Sequence, residues 1–385
     1  MDNDYVTRHE IEDAIIRNEF GEIDFYAYCI TPWHAIGVRA YINSMLKRNN
    51  SLRGVILISH NPGTDYLIDS DVFLFDLDVD VKIFKCKDSR RANKAQYFFK
   101  LIKSMQKVQP PRDNERLLHI LRPFRPDIRF AVDYQQNTRR ECKLVCLDEG
   151  VGTYKTDYEI LKEKIRGSIT TGSIHFLMSS FYKFLLLRNR LVPEYYTLFK
   201  DNKGLLEINL NIAKEYKKCI RQSVVSSINI ETPKYALLLT QPFEIEQDVS
   251  SKNEINDIFD HLLKLFKQLG YEIIVKPHPR EGKDVIDEYK QRGFKVLETK
   301  LPLEIYMESL KKKPEVVIGA VSTSLITANA LNEVPAISVV YMNSEKLDRG
   351  YLKTADTFRE RYGKFIHFPK SDFEIMNLIN TLRKE

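Results

Sequence analysis

Short apolar runs alternate with longer amphipathic stretches along most of this chain, and that alternation is what limits the folds open to it. Apolar runs of strand length, separated by segments long enough for a crossover helix, predict parallel sheets wound with helices on both faces. In the first half the predicted strands are FYAYCI (25–30), GVILIS (54–59), VKIFKC (81–86), IRFAVD (128–133) and KLVCLD (143–148). Thr31 and Pro32 mark a helix start after the first of them, one as cap and one as first helical residue. Residues 220–234 are polar and Ser-rich, and the alternation restarts at YALLLT (235–240). There follow a helix ended by Gly270, strands at YEIIVKP, FKVLE, EVVIGA and AISVV, and helices at PLEIYMESLKKK, STSLITANAL and DFEIMNLINTLRK. The fold class is therefore α/β with two doubly wound, Rossmann-like units, residues 1–230 and 231–385. A chain of 385 residues is long for one hydrophobic core, which supports two.

Charge separates partner classes only weakly. The net +6 is a small excess of 59 basic over 53 acidic residues, intermixed, which does not suggest a nucleic-acid binder. Local basic runs, such as Arg122 with Arg125 and Arg129, suit solvated faces or anionic ligands. Five cysteines in or beside apolar runs give neither a disulfide framework nor a CxxC metal spacing, as in a reducing cytosol. No stretch approaches the roughly 18 to 20 consecutive apolar residues needed to span a bilayer, and the N-terminus is charged, unlike a signal peptide. The most apolar segment, 173–191, is interrupted by Lys183 and ends in Arg188 and Arg190. It reads as a helix packed on the core or against a second copy, with an interfacial membrane helix as the alternative.

Ligands of open α/β sheets bind beyond the carboxyl ends of the strands, so the loops there are the places for chemistry. LDEGVGTY places Asp148 and Glu149 side by side, with Gly150 and Gly152 allowing close approach; the pair suits a general base, and equally a turn with an N-cap. KPHPR holds His278 between Pro277 and Pro279, with Lys276 and Arg280 alongside, a setting for a departing phosphate. GAVSTSL puts Ser322, Thr323 and Ser324 at a helix start, where hydroxyls and backbone N–H groups bind anions or simply cap the helix. Glu304 in LPLEIYMES suits sugar hydroxyls or the helix dipole. GxGxxG, the P-loop and HExxH are missing and there is no convincing metal-binding DxD loop, so dinucleotide, P-loop, zinc-peptidase and metal-bridged diphosphate chemistry lose support.

Taken together, YCITPWHAIGVRAYI, CLDEGVGTY, PEYYTLFKD, IVKPHPRE and LPLEIYMESLKKKPEVVIGAVSTSLITANAL resemble bacterial sialyltransferases marked by D/E-D/E-G, HP and Ser/Thr motifs. The nearest resemblance is to the lipooligosaccharide and capsule sialyltransferases of glycosyltransferase family fifty-two. It implies a GT-B architecture with an acceptor-side first domain, a nucleotide-donor second domain and an active site in the cleft between them. The implied reaction is inverting transfer from CMP-sialic acid to a galactose-type hydroxyl of a bacterial surface glycan, with no metal or other cofactor.

The resemblance also assigns roles. His278 would meet the CMP phosphate; Ser322, Thr323 and Ser324 would hold it; Glu304 would bind the ribose; and Lys276, Pro277, Arg280 and Gln241 would complete the donor site. The base would be Glu149, then Asp148, then Glu244 in LTQPFEIE. Thr31, Trp33, His34 and Gly150 would face the acceptor, with Trp33 serving either as a stacking platform or as a packing wedge. The expected location is cytoplasmic, with peripheral contact at the inner face of the membrane and a homodimer as further partners. Three rivals stay open: a capsule polysialyltransferase, a transferase using CMP-Kdo or CDP-glycerol, and a non-catalytic binder of anionic glycan or lipid.

Overall fold

In the computed structural model the apolar runs lie side by side as parallel strands. The structure describes residues 6–46, 51–60, 79–87, 117–123, 128–148, 151–154, 160–162, 164–165, 168–202, 205–224, 226–241, 252–299, 301–342 and 344–382. The chain divides into two compact units, Met1–Leu198 with Leu210–Cys219, and Phe199–Asn209 with Ile220–Glu385.

The first unit is built from α1 (Arg8–Ile16), β1 (Phe25–Cys29), α2 (Pro32–Leu46), β2 (Leu52–His60), β3 (Val79–Lys87) and β4 (Leu118–Pro123). It continues with α3 (Ile128–Thr138), β5 (Cys142–Leu147), a short 3₁₀ turn (Val151–Tyr154), α4 (Ile169–Arg188) and β6 (Glu194–Tyr196). The strands form one parallel sheet in the order β3-β2-β1-β4-β5-β6. Every residue of β1 is buried, as expected for a central strand covered on both faces.

One expected strand is a helix. Residues 128–133 open α3, and the fourth strand is Leu118–Pro123, which pairs with β1 and β5. The run IRFAVD is short enough to suit either period. As a helix it buries Phe130, Ala131 and Tyr134 on one face and sets Arg129 and Asp133 four residues apart, at 3.3 Å.

Helix α1 starts with a capping box: Glu10 N–H donates to the Thr7 hydroxyl (3.3 Å) and Thr7 N–H to the Glu10 carboxylate (2.7 Å). Its buried face carries Glu12, whose carboxylate accepts from Arg8 at 2.7 Å, Arg122 at 2.6 Å and the Tyr26 hydroxyl at 3.1 Å. Arg122 is thus a buried core residue lying over the rings of Tyr26 and Tyr28, not part of a solvated basic face. All five cysteines are buried, as their apolar surroundings required, and none is in a disulfide.

The second unit contains the hairpin β7 (Phe199–Asn202) and β8 (Leu205–Ile208); α5 (Leu210–Gln222), next in the chain, belongs to the first unit as far as Cys219. Then come β9 (Tyr235–Leu239), α6 (Lys252–Gln268), β10 (Glu272–Lys276), α7 (Lys283–Gln291), β11 (Lys295–Val296) and α8 (Leu303–Ser309). The unit closes with β12 (Val316–Gly319), α9 (Thr323–Asn332), β13 (Ala336–Ser338), α10 (Arg349–Tyr362) and α11 (Asp372–Leu382). The sheet is parallel in the order β11-β10-β9-β12-β13. Gly270 ends α6 as its position predicted, taking φ +79° so that the N–H groups of Gly270 and Tyr271 reach back to Lys267 and Phe266. Counting strands within each sheet in chain order, the first runs 3-2-1-4-5-6 and the second 3-2-1-4-5, the doubly wound order. Two Rossmann-like units in one chain are the composition of the GT-B class, as expected.

Candidate active site

In the doubly wound order the chain reverses direction of winding between the first and fourth strands, and the crevice at their carboxyl ends receives ligand. In the second unit those strands are β9 and β12, followed by Gln241 and by Ser322. Gln241 bridges the two loops: its amide N–H donates to the Val321 carbonyl, and its carbonyl accepts from Val321 N–H at 3.5 Å and the Tyr351 hydroxyl at 3.0 Å. Ser322 caps α9 by accepting from Ser324 N–H at 3.3 Å, and Thr323 begins the helix. One turn into α9, Thr327 donates to the buried Glu304 carboxylate at 2.5 Å, which ties α8 to the same edge.

The third loop, after β10, holds His278. Arg280 N–H donates to its Nδ1 at 3.1 Å, so Nε2 carries the proton. Burial, with the charges of Arg280 and Lys276 added, pushes this imidazole down to about 3, so at neutral pH it is an uncharged N–H donor. Lys276 is itself buried, and burial pushes its ammonium down to about 8, with Glu304 pulling the other way. Pro277 and Pro279 restrict the backbone on either side.

Sequence reasoning missed the residue that anchors this loop. Glu281 accepts from His278 N–H at 2.6 Å and from the Thr240 hydroxyl, with the Tyr289 hydroxyl at 3.5 Å on its other oxygen. Glu281 N–H closes the turn onto the His278 carbonyl at 2.9 Å, and Thr240 accepts from His278 N–H at 2.9 Å. Its only signal was its place at the end of IVKPHPRE; that the carboxylate folds back onto the loop is a tertiary fact. The structure thus brings Gln241, Lys276, Pro277, His278, Arg280, Glu304, Ser322, Thr323 and Ser324 to one sheet edge. The loops after β10 and β12 lie two strand spacings apart, about 10 Å, room for one phosphate-linked group.

In the first unit Thr31, Trp33 and His34 open α2, and Asp148 follows β5. Thr31 accepts from His34 N–H at 3.3 Å, while His34 Nδ1 accepts from the N–H groups of Ile30 and Thr31, both at 3.2 Å. His34 is buried, which pushes it down to about 3, so it closes the helix start as a neutral ring. Trp33 lies tilted against Tyr216 at 5.1 Å and donates to Asp148 at 3.5 Å. Asp148 is also buried, and it accepts from Leu198 N–H at 3.0 Å and from the Tyr154 hydroxyl. Glu149, Gly150 and Glu244 lie outside the described residues. Among the described residues no group of three or more His, Cys, Asp or Glu could hold a metal ion.

No curated protein matches the chain in sequence. Among solved structures it is similar to the UDP-GlcNAc 2-epimerase from Neisseria meningitidis, at 12% identity over 94% of this chain and 91% of that one, TM-score 0.45. It is similar also to a sialyltransferase from Photobacterium damsela, at 13% identity over 90% of this chain and 81% of that one, TM-score 0.44. A third is the E. coli heptosyltransferase WaaC, at 12% identity over 93% and 99%, TM-score 0.43. Residues 26–341 match the family model of alpha-2,8-polysialyltransferase (POLYST), so this chain belongs to that family.

Proposed function

We propose that the chain transfers sialic acid from CMP-sialic acid, with inversion and without a metal, to the end of a bacterial surface glycan. The acceptor hydroxyl oxygen attacks the anomeric carbon as the bond from that carbon to the phosphate oxygen breaks, and the hydroxyl proton passes to a carboxylate. CMP leaves as a monophosphate whose charge grows by one, and the second unit is arranged to meet it: His278 donates through Nε2–H and the start of α9 offers Ser322, Thr323, Ser324 and its first N–H groups. The tautomer of His278, set by Arg280 N–H on Nδ1, is the observation that carries this reading. Asp148 is engaged by Trp33, Leu198 N–H and Tyr154, so we assign the base to its neighbour Glu149, with Glu244 next. The description of the matched family favours a sialyl-terminated acceptor and a growing chain over a single transfer to galactose.

A donor screen tests this. CMP and CMP-sialic acid should raise the melting temperature, CMP should be released only with acceptor, and EDTA should leave the rate unchanged. Equal response to CMP-Kdo or CDP-glycerol would reassign the donor. Product length on a gel separates polymer from single addition. In the same assay Glu281→Ala should lower kcat by about 10²-fold, the cost of misplacing a catalytic group by an ångström, with donor KM little changed. Glu281→Gln keeps one acceptor for His278 N–H and should recover much of the loss. Equal kcat in all three proteins would show that Glu281 does not position His278.

A further inference from the structure

The helix α4 faces solvent with the wrong chemistry for a soluble surface. On its outer side Ile169, Phe176, Leu177, Phe184 and Leu187 are exposed, Ile169 by 77% and Leu187 by 79% of their surface. At a helical advance of about 100° per residue these five fall within one stripe, and Lys183 and Arg188, both exposed, fall on its two edges. The opposite side is seated on the unit: Leu185 is fully buried in the core of the first unit, and Phe181 and Leu186 pack against that core. The outward orientation is therefore fixed by close packing. A contiguous apolar patch of this kind on a folded surface marks something that covers it.

Charge identifies the cover. From Ser168 to Pro193 the chain has Lys183, Arg188 and Arg190 and no acidic residue. A second copy of the helix would bring cations against cations with no carboxylate to pair them, whereas a bilayer with anionic headgroups satisfies stripe and edges together. An anionic glycan would leave the stripe uncovered. No described helix is long and apolar enough to cross a membrane, so the contact lies along the surface. We propose that the outer face of α4 is a docking surface for an anionic lipid bilayer, an inference independent of the donor and acceptor assigned above.

The full-length chain should sediment with vesicles of phosphatidylcholine containing phosphatidylglycerol, not with phosphatidylcholine alone, and added salt should weaken the binding. Phe184→Ser with Leu187→Ser should weaken it roughly tenfold or more, the transfer cost of two partly inserted side chains. Lys183→Gln and Arg188→Gln should each weaken it about fivefold and lower its salt dependence. Both side-chain sets point outward, so circular dichroism and melting temperature should match the parent. Vesicle binding that survives the serine pair, or no binding to either vesicle, overturns the proposal. So does a dimer by light scattering that the serine pair converts to monomer, because the stripe would then belong to a second copy.

Discussion

His278→Ala is expected to lower turnover by about 10²–10³-fold, the range for removing one preorganised donor from a developing negative charge, while CMP-sialic acid binding changes little. The donor matters more in the transition state than in the ground state because the phosphate gains its charge only as the bond to the anomeric carbon breaks. Two observations shape the pH dependence. Arg280 N–H occupies Nδ1, and burial with the neighbouring cations holds the ring at about 3. An imidazolium acid with an ordinary pKa of about 6.5 would make kcat/KM rise as pH falls through that value. A ring already neutral above about 3 gives no such limb, so any loss below neutrality reports the base, whose protonation stops it accepting the acceptor proton. His278→Gln retains an N–H donor and should keep more activity than alanine. Turnover of His278→Ala within a few-fold of the parent, measured as CMP release over pH 5 to 8, removes His278 from the mechanism.

The residues that were legible in the sequence share one property: each sits directly after a strand and carries chemistry a core does not want. His278 between prolines, and the Ser-Thr-Ser run after EVVIGA, announce themselves locally, and the sheet order then places them on one edge. Glu281 has no local peculiarity; an acid after HPR is ordinary until its carboxylate is seen under the His278 and Thr240 donors. Asp148 shows the reverse case. Two adjacent acids suggested a base, but what the fold gives Asp148 is a set of donors from 33, 154 and 198, distant in sequence. The misread strand at 128–133 failed because six residues cannot separate a period of two from one of 3.6, and its replacement at 118–123 includes a buried arginine that looks like a surface charge. α4 was legible as a helix, yet which face it would bury depended on Phe181, Leu185 and Leu186 meeting the core of the first unit.

The same buried arginine sets the largest expected effect on stability. Glu12→Ala should destabilise the first unit by about 3–5 kcal/mol, the usual result of removing one partner from a buried ion pair. The carboxylate meets Arg8, Arg122 and Tyr26 at 2.7, 2.6 and 3.1 Å, and without it the Arg122 guanidinium stays buried between tyrosine rings with no counter-charge. Burial alone would raise the Glu12 pKa, but Arg8, a hydrogen bond from His9 and Arg122 outweigh it and hold the group well below the usual carboxylate range. The sign follows: a folded pKa below the unfolded value of about 4.3 gives stabilisation that is complete above that value and lost as pH falls toward the folded one. Urea unfolding should therefore show a constant gap between parent and Glu12→Ala from about pH 6 to 8, narrowing as the pH falls below about 4. Adding Arg122→Met should recover part of the loss, because the orphaned charge goes with it. A gap under about 1 kcal/mol, in the range of an exposed pair, or one that widens in acid, would mean that α1 is held by its apolar residues Ile11 and Ile15 and that the charges beneath it contribute nothing net.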